Sequence, residues 1–285
     1  MTQSLDETTL VLDIAGSQME VIQAGQGEPV ILAHSYLWDA GSWRAQIRAL
    51  AQHYQVFAPS LWGHGGSGPL PSGTSSLRDI ALQHLHLIDS LGLTRFSLVG
   101  HSVGGMWGAE LALIAPERMR ALALVDSCLK AEPALPRQRY FAMLDILEVA
   151  QAVPAAVAAE VAALFFSPDW PDRYPEIVAA FRKRLAGWDV MRLIDSVVPF
   201  GRLTFGRRET LTAFSRLAMP TLVMHGTDDI PRPFEEARHM ADVLDCRFIA
   251  LSGAGHMAPI ETSDAVTHGL LDFLEQVHRP DMVDR

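Results

Sequence analysis

Gly100-His101-Ser102-Val103-Gly104 stands between a short apolar run, Arg95–Gly100, and a stretch with helical spacing, Val103–Ile114. A serine flanked by glycines at a strand-to-helix junction reads as a nucleophile elbow. The strand feeds straight into the helix, so the serine side chain projects from the turn. The glycines permit the strained backbone and the close approach it needs. The helix N-terminus adds partial positive charge behind the hydroxyl. A serine hydroxyl attacks poorly by itself; it needs a base and a place for the developing oxyanion. Ser102 is therefore the candidate nucleophile, and the rest of the chain can be searched for its partners.

The neighbouring segments supply the frame. Thr9–Ile14 and Met19–Gln23 flank the turn Ala15-Gly16-Ser17, a hairpin signal. Pro29–Ala33, Tyr54–Pro59 and Ala121–Val125 are continuous apolar runs, as Arg95–Gly100 is. Runs of this length suit strands buried on both faces of a parallel sheet. Between them lie helical patterns: Trp43, Ile47 and Leu50 at i, i+4 and i+7, and a broad apolar face from Ile80 to Leu91 that Gly92 ends. Alternating strands and helices predict an α/β fold with a doubly wound, mostly parallel sheet.

That rhythm stops at Cys128. From residue 128 to 218 the spacing is helical, with Tyr140, Met143, Leu144 and Leu147 on one face and Val157, Val161, Leu164 and Phe165 on another. Pro175 opens a further helical stretch. Strand patterns resume at Pro220–His225 and Cys246–Leu251, and Ser263 is expected to cap a last helix, Asp264–Val277. The sequence thus predicts an α/β core, residues 1–127 and 219–285, carrying an inserted helical cap, residues 128–218. The cap holds 12 Lys/Arg against 10 Asp/Glu, whereas the whole chain carries a net charge of −10. A solvated helical surface accounts for this; the functional reading is that some cap arginines meet an anionic substrate.

The base should follow the last strand. His256 does, in Gly253-Ala254-Gly255-His256-Met257, where small residues let the loop approach the serine. The carboxylate that orients it should lie on a loop after a core strand, and Asp126, Asp228 and Asp229 all qualify. The oxyanion requires two backbone N–H groups: Val103, next to the nucleophile, and Tyr36, in the loop His34-Ser35-Tyr36-Leu37-Trp38. His34 is read as a brace for that loop.

Composition narrows the function classes. With 49% hydrophobic and 20% charged residues the chain can build a buried core, and its acidity lacks the basic footprint of a nucleic-acid binder. The first residues lack a signal peptide's basic flank and apolar run, and the apolar stretch 152–166 is too short to span a bilayer. Cys128 and Cys246 form neither a disulfide framework nor a metal-ligand spacing. The expectation is a cytoplasmic enzyme with a small-molecule substrate, no metal, no cofactor, no nucleic acid and no membrane. The polar ends, Met1–Glu7 and Arg279–Arg285, are expected to be unstructured.

Taken together, the motifs resemble the α/β-hydrolase superfamily, in its branch with a helical cap. His34-Ser35 resembles the family's His-Gly oxyanion motif, and Pro59-Ser60-Leu61-Trp62-Gly63-His64-Gly65-Gly66-Ser67 its loop after strand four. His225-Gly226-Thr227-Asp228-Asp229 resembles Gly-x-x-Asp, which selects Asp229 as the triad acid beside Ser102 and His256. Ser35 departs from the usual glycine and Ser60 from a common aspartate. The resemblance implies acyl transfer through an acyl-enzyme, on a small or medium hydrophobic ester or lactone, with Trp38, Trp107 and Trp188 as candidate pocket liners. Carbon–carbon hydrolysis of ring-cleavage products is an alternative, although such relatives often carry Asn and Trp where this chain has His101 and Met257. A ligand receptor that retains the triad is the rival from outside enzymology.

Overall fold

Apolar runs that need cover on both faces settle into the middle of one eight-stranded sheet. The computed structural model describes residues 7–279. Its strands are β1 (Thr8–Ile14), β2 (Ser17–Ala24), β3 (Pro29–Ala33), β4 (Gln55–Pro59), β5 (Phe96–His101), β6 (Met119–Val125), β7 (Thr221–Gly226) and β8 (Arg247–Leu251). Their order is β1-β2-β4-β3-β5-β6-β7-β8. β1 and β2 make the antiparallel hairpin, β2 runs antiparallel to β4, and the remaining pairs are parallel. Every residue of β5 and β7 is buried. The edge strand β1 alternates and is largely open to solvent, as a strand with one covered face should. The polar ends expected to be unstructured lie outside the described residues, apart from Glu7 and Arg279.

Helices α1 (Arg44–Leu50), α2 (Leu77–Ser90) and α3 (Val103–Ile114) cover the sheet where the spacing placed them. Ser76 caps α2 by accepting the Asp79 N–H, and Ile80, Leu87 and Ile88 face inward. Between β6 and β7 no strand occurs among the described residues. Seven helices fill that block: α4 (Ala134–Ala150), α5 (Ala155–Phe165), α6 (Trp170–Arg173), α7 (Pro175–Ala186), α8 (Val190–Arg192), α9 (Val198–Phe205) and α10 (Leu211–Phe214), with a π turn over Leu193–Val197. Leu144, Val157, Phe181 and Phe200 from this block join the same buried cluster as Leu98, Val103 and Trp107 of the core. The block is therefore packed onto the sheet through a shared apolar body.

Helices α11 (Phe234–Leu244), α12 (Ala258–Glu261) and α13 (Ser263–His278) complete the chain. The cap expected of Ser263 is not formed. Ser263 is the first helical residue, and the preceding Thr262 turns its hydroxyl back to Ala258 O at 3.3 Å. The short helix α12 runs into α13 so closely that no extended capping residue separates them. On the opposite sheet face α13 and α1 enclose a second apolar cluster around Trp43, Ile47, Val266 and Leu270. Parallel pairing leaves the C-terminal ends of β5, β6, β7 and β8 side by side, with His101 opposite Val125 and Gly226 opposite Leu251. In open α/β sheets this is where ligands bind.

Candidate active site

Ser102 sits where β5 turns into α3, with φ 53° and ψ −118°. A non-glycine residue with positive φ is strained, and such strain collects at functional turns. The glycines around it are required by contact. A Cβ on Gly100 would fall 2.3 Å from Gly105 N, and one on Gly104 2.3 Å from Ala33 O. The turn is tied down by its own backbone: Ser102 N donates to Val125 O at 2.9 Å, and the Ser127 hydroxyl donates to Ser102 O at 2.7 Å. The Ser102 side chain is thereby fixed above the sheet.

The loop after β8 carries His256 to that point. Its Nε2 lies 2.9 Å from Ser102 Oγ, and its Nδ1 lies 2.8 Å from Asp229 Oδ2. The other oxygen of Asp229 accepts the Arg232 N–H at 2.9 Å, which locks the carboxylate within its own turn. Both residues are buried. Asp228 is exposed and accepts the Thr227 hydroxyl. Asp126 is fully buried but engages backbone: it accepts Gly226 N–H at 2.8 Å and Ala258 N–H at 3.2 Å. Burial, followed by the charge of Asp229, pushes the Asp126 carboxyl well above the usual carboxylate range. Of the three aspartates, the structure brings Asp229 to the histidine.

His101 adds a second support. Its Nε2–H donates to His256 O at 2.7 Å from a fully buried ring. Burial lowers His101 to about 3, with the neighbouring His256 acting in the same direction, so the ring is neutral. Asp126, His225 and Asp229 could together face a cation, but most of their atoms are engaged. Both Asp126 oxygens take amides, both Asp229 oxygens are occupied as above, and His225 Nε2–H donates to Arg232 O at 2.7 Å. The arrangement is built as a hydrogen-bonded support.

Two histidines hold the loop after β3 by a reciprocal exchange. His34 Nδ1–H donates to Ser35 O at 2.7 Å while its Nε2 accepts Leu61 N–H at 2.8 Å. His64 Nδ1–H donates to Trp62 O at 2.8 Å while its Nε2 accepts Leu37 N–H at 3.1 Å. The loop after β3 and the loop after β4 thus each lend a ring to the other. Burial is the main cause that lowers both histidines, His64 to about 4, consistent with neutral rings that each need an accepting nitrogen. Leu37 takes φ 70° within this brace. The N–H groups of Tyr36 and Val103 have no acceptor among the described residues. The Ser35 hydroxyl is also buried without a partner among them, and Ser60 donates to Glu20 Oε1 at 3.1 Å.

Residues 28–263 match the alpha/beta hydrolase fold family. The chain belongs to that family. It is also 30% identical over 262 residues to a protein of Azorhizobium caulinodans named "Putative carbamate hydrolase RutD", covering 89% of this chain and 93% of that one. A thermophilic esterase from Thermogutta terrifontis superposes with a TM-score of 0.84 at 23% identity, covering 95% of this chain and 99% of the other. The enol-lactonase from Burkholderia xenovorans superposes at 0.82 and 23%, covering 93% and 99%. The protein is a hydrolase of the α/β class.

In this α/β hydrolase, Ser102 and His256 open on a cavity of about 60 Å³. One water needs ~10–15 Å³ on such a scale, so the space holds a small group of several heavy atoms. Its wall includes Tyr36, Met106, Tyr140, Phe165, Phe205 and three charged residues, Glu132, Arg207 and Arg232. A second cavity of about 60 Å³ shares Tyr36, Tyr140, Leu164, Phe165 and Phe205 with the first and runs among Leu144, Leu147, Val157 and Val161. Phe165, from α5, stands edge-on to the His256 ring at 5.3 Å between centroids.

The three tryptophans expected as liners are elsewhere. Trp38 stacks on Phe181 at 4.7 Å, Trp107 stacks on His84 at 4.0 Å, and Trp188 meets His64 edge-on at 5.9 Å. Each is held by aromatic packing, and none lines the cavity at Ser102. Met106 could have been found, because it lies one helical turn beyond Ser102. Glu132, Arg207 and Arg232 could not be assembled by spacing; the relative excess of positive charge in residues 128–218 was a trace of Arg207 alone.

Proposed function

We propose that this hydrolase cleaves a small or medium carboxylic ester or lactone through an acyl-enzyme on Ser102. The observation that carries the reading is the chain of contacts from Asp229 through His256 to Ser102, at 2.8 and 2.9 Å. His256 Nε2 takes the hydroxyl proton as Ser102 Oγ attacks the substrate carbonyl. The oxyanion forms against the Val103 and Tyr36 N–H groups, and His256 returns the proton to the leaving oxygen. Water then enters, gives a proton to His256 and attacks the acyl carbon, releasing the acid and regenerating Ser102. Asp229 holds the imidazole in the required tautomer and stabilises its charged form. The cap residues lining the second cavity set the size of the apolar part accepted.

The name of the Azorhizobium relative favours a second reading on the same residues, hydrolysis of a carbamate. Its carbonyl is attacked in the same way, and only the leaving group differs. A kcat/KM panel of graded alkyl esters, lactones, aryl carbamates and ring-cleavage dienoates separates these readings. Esters or lactones should lead, and Ser102→Ala should lose ~10⁴–10⁶ in kcat. Rapid dienoate cleavage with esters at background would overturn the ester reading, and carbamates leading would favour the second.

A further inference from the structure

Arg207 is buried at the wall of the Ser102 cavity, its side chain 4% exposed. Both of its hydrogen bonds leave from one nitrogen: Nη1 donates to Glu132 Oε2 at 2.8 Å and to Thr204 O at 3.0 Å. Nε and Nη2, the two-pronged edge of the guanidinium, are buried with no acceptor among the described residues. The adjacent Arg208 displays the use of such an edge. Its Nε and Nη2 donate to the two oxygens of Glu110 at 2.7 and 2.6 Å. Leaving buried donors unmet is costly, and a carboxylate fits this edge through two parallel hydrogen bonds.

The neighbouring charges frame this edge. Glu132 is shared: its Oε1 accepts Arg232 Nη2 and its Oε2 accepts Arg207 Nη1. Arg232 has further cover from Glu236, 3.5 Å from its Nη1 and 18% exposed at the solvent edge. Among the buried members of this set, two guanidiniums face one carboxylate. With Glu236 the four side chains are neutral overall, and what remains unmet is the open edge of Arg207. Glu132 and Arg232 line the same cavity as Ser102 and His256.

We propose that Arg207 is a specificity-determining residue whose Nε–Nη2 edge receives a carboxylate on the substrate, so that the molecule cleaved at Ser102 is an anionic ester or lactone. This rests on the serine-hydrolase reading above. The half-ester of a small dicarboxylic acid is the simplest such compound. Its apolar portion has the adjoining cavity among Leu144, Leu147, Val157 and Val161.

The test uses monoethyl succinate, glutarate and adipate, with O-acetyl glycolate and O-acetyl-4-hydroxybutyrate for a carboxylate on the alcohol side. Each is paired with its neutral carboxamide analogue. In the wild-type enzyme at least one acid should exceed its amide by tenfold or more in kcat/KM, chiefly through KM. Arg207→Lys keeps a cation for Glu132 but lacks the two-pronged edge, and should lower that ratio at least tenfold. Neutral esters cleaved with every acid poorer than its amide would overturn the proposal, a result read from the wild type alone. An acid preference that survives Arg207→Lys would overturn the assignment to Arg207. No ester cleaved, with Ser102 unlabelled by a fluorophosphonate, would overturn the serine-hydrolase reading itself.

Discussion

Asp229 Oδ2 lies 2.8 Å from His256 Nδ1, although a second buried carboxylate, Asp126, stands in the same support. The hydrogen-bond partners divide their work. Asp229 meets the His256 ring, whereas Asp126 ties the end of β6 to the backbone at Gly226 and Ala258, beside the two loops that carry Asp229 and His256. Asp229→Asn should lose ~10⁴ in kcat, because the amide favours the wrong tautomer of the histidine. Asp126→Asn should lose far less in kcat, but about 1–3 kcal/mol of stability, because one of two buried amides loses its acceptor. Steady-state kinetics and denaturant unfolding of both variants check this. A near-wild-type Asp229→Asn beside an inactive Asp126→Asn would reverse the assignment.

Acid should loosen the loop after β3. Burial holds His34, His64, His84 and His101 below the ordinary histidine value, His64 and His84 to about 4 and His101 to about 3. The unfolded chain therefore takes up protons first as pH falls below ~6.5. The stability from these neutral rings is complete above ~6.5 and is lost as pH falls, down to about 4 for His64 and His84 and to about 3 for His101. Asp126 and Glu261, raised chiefly by burial, act in the opposite direction. Each histidine contributes up to ~1.4 kcal/mol per pH unit in that window. His64→Gln retains an acceptor for Leu37 N–H and should flatten the curve by about one histidine's share. An unchanged slope between pH 6.5 and 4.5 would contradict the brace.

The elbow glycines should separate from ordinary ones. Gly104→Ala places a methyl group against Ala33 O and should cost more than ~3 kcal/mol, or prevent folding. Gly73, with φ 82° but nothing within 4 Å of an added Cβ, serves as the control. Gly73→Ala should cost about 1 kcal/mol, from backbone conformation alone. Similar Tm values for the two variants would show that the contact at Gly104 is relieved without penalty.

Much of this site was legible because its parts obey local rules. The elbow announces itself by glycines around a serine at a strand end, and His256 by its place after the last strand. The fold followed from apolar runs separated by helical spacing, with strand ends displaced by one or two residues. What could not be read depends on contacts between segments distant in sequence. Trp38, Trp107 and Trp188 looked like liners because aromatic residues favour pockets, but their packing partners, Phe181, His84 and His64, are distant in sequence. The same holds for Glu132, Arg207 and Arg232, which three separate segments bring together. The reciprocal histidine brace needed both loops in place before His64 acquired a role.

The second cavity gives the cap a measurable part. Val161→Phe should fill space between Val157 and Leu164 and shorten the apolar chain accepted. Long-chain esters should fall by ~10-fold or more in kcat/KM relative to acetate, the scale set by losing one or two methylenes from a pocket. Labelling of Ser102 by a small fluorophosphonate should continue. Equal losses for acetate and long esters would place the effect on the cap as a whole.

An activated Ser102 should be visible by covalent labelling. Wild-type protein treated with a fluorophosphonate should carry one equivalent of label, located by peptide mass spectrometry on Ser102. Ser102→Ala should remain unlabelled, and His256→Ala should label far more slowly. Stoichiometric label on another residue, with Ser102 unmodified, would contradict the account.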